Sequence, residues 1–155
     1  MKRLVVLLVA LALVLAVGCQ RRVDVTTDTT AVTGVLENYI ASVEKEDMEL
    51  YAKAMVHDAG MVNYGTAGAP IVGWDALKKV IEDQNAALSQ TIITASDVSV
   101  RVSATGDWAW ATSLWKFNTV MGGNTLALPV RCTWILEKRD GRWAIVHFHK
   151  SVAAG

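Results

Sequence analysis

The sequence predicts an α+β fold, a single curved antiparallel sheet with three helices on its concave face. Three observations carry this. Apolar residues recur at three- and four-residue spacing only in the first half of the chain after residue 30. Beyond Ser89 the pattern changes to long runs rich in Ile, Val, Thr and Trp, with Val98, Val100 and Val102 alternating with polar residues. Those runs are punctuated by the tight-turn strings Thr105-Gly106-Asp107, Gly122-Gly123-Asn124 and Asp140-Gly141. Helices grouped first and strands grouped last is the α+β order.

The elements follow in turn. Lys2 and Arg3 precede Leu4 to Val17, an uncharged stretch of Leu, Val and Ala. A membrane span needs about 20 apolar residues, so this stretch has the length of a signal-peptide core. Gly18-Cys19 follows at once, and Leu15-Ala16-Val17-Gly18-Cys19 resembles the lipobox of bacterial lipoproteins. Residues 1–18 are expected to be cleaved and Cys19 to carry acyl chains such as palmitate, each buried CH₂ adding about 0.8 kcal/mol of membrane affinity. Residues 19–30 read as a polar, Thr-rich tether and 31–155 as one domain. Thr30 or Thr33 is a candidate cap for a helix whose stripe is Val32, Val35, Leu36, Tyr39, Ile40 and Val43. Asp47 caps a second helix through Met48, Leu50, Tyr51, Ala54 and Met55. Met61 to Tyr64 reads as a short strand, and Gly65, Gly68 and Pro70 as a loop. Gly73-Trp74-Asp75 opens a third helix with Leu77, Val80, Ile81 and Leu88 as its apolar positions. Four strands complete the chain: Ile92 to Val102, Trp108 to Met121, Thr125 to Lys138 and Arg142 to Ser151.

Composition narrows the function. Lys plus Arg and Asp plus Glu number 15 each, and loss of Lys2 and Arg3 leaves a net charge of −2. Nucleic-acid binding, which needs a basic face, is not expected. With Cys19 acylated, Cys132 has no intramolecular partner and reads as a small core residue. Gln20 after the lipidated cysteine points to the periplasmic face of the outer membrane where the source has two membranes, and otherwise to the cell envelope in general.

Arg131 to Ser151, RCTWILEKRDGRWAIVHFHKS, resembles the C-terminal strands of the SnoaL-like group in the nuclear transport factor 2-like superfamily. The association domain of calcium/calmodulin-dependent protein kinase II has a similar ending, with Asp140-Gly141, a basic residue, Trp143 and Val146-His147-Phe148-His149. Gly73-Trp74 resembles the family's glycine before its third helix, and Gly106-Asp107-Trp108-Ala109 its entry to a central strand. The resemblance implies a cone-shaped roll with a pocket at its open end, and dimerisation through the outer face of the sheet. The superfamily spans ketosteroid isomerases, polyketide cyclases, dehydratases and proteins without a known reaction, so the fold leaves function open.

Alternation places His147 and His149 on one face of the last strand with Trp143, Ile145 and Ser151, and Val146, Phe148 and Lys150 on the other. It does not say which face looks inward. The association-domain resemblance favours Lys150, because a pocket arginine occupies the matching position there; another matches Trp134. The expected pocket set is then Tyr51, Trp74, Trp110, Trp134, Phe148 and Lys150, and Arg131, Thr133, His147 and His149 form an interface or an alternative pocket. An enzymatic alternative uses His57 as base, Asp58 to orient it and Tyr64 to polarise a carbonyl. His57 with His147-x-His149 would supply three imidazoles, but no further ligand falls at metal-binding spacing, so neither a metal nor a cofactor is expected. The leading expectation is a membrane-tethered homodimer that binds a small, partly apolar molecule. The alternatives are an isomerase, cyclase or dehydratase, and an oligomeric assembly module.

Overall fold

The computed structural model describes residues 24–153. Residues 1–18, expected to be a signal segment, and Cys19 lie outside the described residues. Three helices, α1 (Val25–Glu44), α2 (Met48–Ala54) and α3 (Trp74–Ala87), pack with two sheets. One is a small hairpin of β1 (Val62–Asn63) and β2 (Ile71–Val72). The other is a four-stranded antiparallel sheet in the order β3 (Leu88–Val102), β4 (Trp108–Met121), β5 (Asn124–Arg139) and β6 (Arg142–Val152). This is the expected α+β architecture, three helices followed by a meander.

Helix α1 starts earlier than the periodicity suggests. Its cap is Asp24, whose carboxylate accepts from the Thr27 amide at 3.0 Å and the Thr27 hydroxyl at 2.7 Å. Residues 25–30, read as tether, are its first turns. They are helical because Asp28 is anchored to the sheet: its buried carboxylate accepts from Lys138 and, at 3.1 Å, from the Trp143 indole. Those bonds hold the Asp28 carboxyl below its ordinary range, the Lys138 bond contributing most. The expected stripe does face the core, with Val32, Leu36, Tyr39 and Val43 buried. At the other end Glu44 accepts the Ile93 amide at 2.7 Å, tying α1 to β3.

Gly73 precedes α3 for a steric reason. Its φ is +83°, and a Cβ there would meet the Ala59 carbonyl oxygen at 3.0 Å while its amide donates to Met61 at 2.8 Å. Leu88, expected inside α3, is the first residue of β3, which starts four residues before Ile92. Gln90 and Asp97 take positive φ where β3 slips register against β4, so two irregularities bend this strand.

A third slip, between Ile135 and Leu136 opposite β6, sets which side chains enter the core. Ile135 pairs with His147 and Leu136 with Ile145, leaving Val146 as the extra residue. Strict alternation therefore fails at Val146. Trp143 and Ile145 are buried on the same side as Phe148, not with His147 and His149. Inward residues of β4 and β5, including Ala109, Ala111, Trp115, Cys132, Trp134 and Leu136, complete the core against α1 and α2. No helix among the described residues is long and apolar enough to cross a membrane.

Candidate binding cavity

Between the helices and the concave side of the sheet lies a cavity of about 310 Å³. Val43 of α1, Ile81 of α3, Trp115 and Phe117 of β4, and Phe148 and Lys150 of β6 form its walls. Gly65, Thr66 and Ala67 of the loop after β1, Gln84 of α3 and Met121 of β4 lie at its rim. None of the residues lining it is Asp, Glu or His, and Lys150 is its one charged group.

Backbone pairing places Lys150. The short strand β1 runs alongside β6: Tyr64 donates its amide to Phe148 at 2.9 Å, and its carbonyl accepts the Lys150 amide at 2.9 Å. Asn63, fully buried, accepts the Phe148 amide through Oδ1 at 2.8 Å. With the backbone held this way, the Lys150 side chain runs into an aromatic nest. Its Nζ is 5.0 Å from the ring centroid of Tyr39, 4.9 Å from Trp115 and 5.0 Å from Phe148. It forms no ion pair with any described carboxylate. Burial pushes its amine down to about 8.

Around this amine the aromatic cluster continues inward. Tyr39 packs on Tyr51 at 5.3 Å, and Trp115 on Trp134 at 5.5 Å. Burial pushes both phenols well above their usual range and the Cys132 thiol up to about 12. These groups stay neutral, so no anion faces Lys150 from α1, α2 or β5 at neutral pH. The Tyr39 and Tyr51 hydroxyls interact with each other and meet no third group, while Ser113 Oγ and the Trp115 and Trp134 indole nitrogens are buried without a protein partner. A buried polar group left unpaired costs roughly 1–3 kcal/mol, and of these groups the Trp115 indole belongs to a residue that lines the cavity. All five can donate a hydrogen bond.

The residues singled out in the sequence fall in three places. Phe148 and Lys150 line the cavity, with Trp134 and Tyr51 in the cluster beneath. Trp110 lies elsewhere: it is 41% exposed on the outer sheet face and stacks on Trp108 at 5.5 Å, because odd-numbered β4 residues point inward. Trp74 does not line the cavity either: half-buried against the core, it stacks at 4.0 Å on His57. His57 donates through Nε2 to the Ala52 carbonyl at 3.0 Å, and Asp58 pairs with Arg139 at 2.6 Å. Tyr64 sits edge-on to His147 and His149, at 5.8 and 5.5 Å between centroids. His57, Asp58 and Tyr64 thus do not converge, and none lines the cavity. Asp58 and His147 instead border an open surface depression of about 570 Å³ beside Arg139. His147 donates through Nδ1 to the Val62 carbonyl at 2.6 Å, while Arg131, which donates to Val152 at 3.0 Å, and Thr133 and His149 are exposed on the outer face. No cluster of three or more His, Cys, Asp or Glu among the described residues is placed to hold a metal.

Tyr39, Ser113 and Trp115 were not among the expected site residues. Tyr39 reads as an ordinary core position on the α1 stripe, and Trp115 differs from Trp108 and Trp110 only in strand parity. That parity, combined with Lys150 facing inward, was the one available signal.

A family model for the SnoaL-like domain matches residues 32–155. Comparison with curated proteins finds no match. Among solved structures, the chain is similar to a nuclear transport factor 2-like superfamily protein from Salmonella enterica serovar Typhimurium, at 21% identity and a TM-score of 0.76, covering 84% of this chain and 94% of that one. A candidate dehydratase of the same superfamily from Streptomyces avermitilis superposes with a TM-score of 0.76 at 17% identity, covering 84% and 99%. A candidate calcium/calmodulin-dependent protein kinase II association domain from Xanthomonas campestris gives 0.68 at 20%, covering 79% and 85%. At these identities the likeness is one of fold.

Proposed function

The chain belongs to the SnoaL-like domain family, and on that premise we propose that it binds a small, partly apolar molecule in the cone cavity. The observation that supports this is the unpaired Lys150 amine beside the unpartnered Trp115 indole in a largely apolar wall. A ligand meeting them has an apolar or ring-bearing body and one or more acceptor oxygens. In this reading the domain works from a lipid anchor at Cys19 and as a homodimer.

The alternative is an isomerase, cyclase or dehydratase, as the dehydratase and isomerase names among similar structures suggest. The Trp115 indole, a buried donor without a partner on the cavity wall, is the group there that favours it, since such a donor can polarise a carbonyl. A proton abstraction in the cavity would have to run through Lys150, the lining having no carboxylate or imidazole.

Native mass spectrometry of the protein purified gently from its own host tests the binding reading. A small added mass that leaves on denaturation, and is missing from a cavity-filling Leu128→Trp variant, is expected. Protein that loses no mass on denaturation and also fails to take up any small acceptor-bearing aromatic would remove the reading and favour an assembly module.

A further inference from the structure

We propose that Lys150 captures a small aldehyde or ketone as a covalent imine inside the cavity, a step that rests on the small-molecule reading above.

Three features of the site point to this chemistry. The Lys150 side chain lines a cavity large enough for a ring-bearing carbonyl compound, with Nζ about equally spaced from the rings of Tyr39, Trp115 and Phe148. No carboxylate pairs with it, and the ionisable groups facing it, Tyr39 from α1, Tyr51 behind it on α2 and Cys132 directly across on β5, are held neutral by burial. A lysine gathered into apolar surroundings without a counter-anion keeps a larger share of free amine, which is the nucleophilic form. Finally, one of the rings that surround Nζ carries a donor without a partner, the Trp115 indole on the cavity wall, suited to a carbonyl oxygen as it takes up charge.

The step balances without an outside oxidant or reductant. The Nζ lone pair forms a bond to the carbonyl carbon, and the C=O π pair moves to oxygen. A proton passes from nitrogen to that oxygen, giving a carbinolamine. Solvent returns to that hydroxyl the proton given up when the ammonium became free amine; the C–O bond then breaks, water leaves, and the nitrogen lone pair closes the C=N bond. The protonated imine remains a cation among three ring faces, which favour it. An apolar wall disfavours the water needed for the reverse reaction.

Reductive trapping tests the proposal on the full-length chain in mild detergent. Benzaldehyde is added near neutral pH with cyanoborohydride, and lysine peptides are mapped by mass spectrometry. The expected result is a benzyl adduct at Lys150 that forms at least about tenfold faster than at exposed Lys78 and Lys79. Its rate should inflect near pH 8, and Leu128→Trp should slow it. Lys150→Arg keeps a cation without a nucleophilic amine, so it should lose the adduct and keep quenching of tryptophan fluorescence by benzoate. Adducts spread evenly over the exposed lysines, with benzoate quenching intact, would overturn the imine and leave the binding site standing. Even labelling together with no quenching by benzaldehyde or benzoate would overturn both.

Discussion

An ammonium ion surrounded by aromatic rings recovers part of its lost hydration from their negative faces, but not all of it. Lys150 is in that position, and its amine falls from 10.5 to about 8. Between those values the unfolded chain binds more protons than the folded one, so the Lys150 contribution to stability rises with pH. It is least favourable below about pH 8. The opposing trend from Cys132, whose thiol is pushed up to about 12, is shared with a Lys150→Met variant. Urea midpoints of the wild-type chain and of Lys150→Met, measured from neutral pH to about pH 9, should therefore converge or cross as pH rises. Curves that stay parallel would mean that the amine is well hydrated. The inward placement of Phe148, Lys150 and Trp134 was legible where a resemblance or a parity supplied a second constraint. His57 and Asp58 were misleading because adjacency in sequence looks like a dyad; in space one stacks on Trp74 and the other turns to Arg139, 81 residues away.

Strands show their faces by alternation, and alternation breaks silently wherever one residue is added. The four strand positions and all three helices were legible because turn residues and apolar spacing mark them locally. The bulge at Val146 was not, since nothing in the string AIVHFH distinguishes a bulged valine from a regular one. Its effect is large. Deleting Val146 would restore strict alternation and swing either the Trp143–Ile145 pair or the Phe148–Lys150 pair out of the interior. Losing burial of Trp143 and Ile145 alone costs about 3 kcal/mol or more, and it would also separate the Trp143 indole from Asp28. The deletion should lower the urea midpoint sharply and weaken near-UV circular dichroism; an unchanged midpoint would show that the slip has no structural role. Helix α1 misled for a related reason: the Asp28 partners that order its first turns are 110 and 115 residues away, beyond any local pattern.

For the whole molecule, the outer sheet face carries the unfinished business of the fold. Trp108, Trp110, Leu114 and Ile135 are each 40–46% exposed there, on neighbouring strands β4 and β5. Surface this apolar is what a second copy of the chain would cover in the proposed homodimer. Sedimentation should give a dimer for the wild-type chain and a monomer for Ile135→Glu, with circular dichroism unchanged. A wild-type monomer would remove the dimer from the proposed function. Helix α1 sets one more relation across the molecule. Its cap, Asp24, is five residues from Cys19, and Val43 at its far end lines the cavity. Twenty residues of helix measure about 30 Å, whereas the five connecting residues reach at most about 18 Å. On the proposed lipid anchor at Cys19, α1 standing upright on the bilayer would hold the cavity end about 30 Å beyond its cap. In that upright pose the cavity's occupant would arrive by diffusion through the aqueous compartment, and loading would follow the dissolved concentration of that compound rather than the lipid content of the membrane.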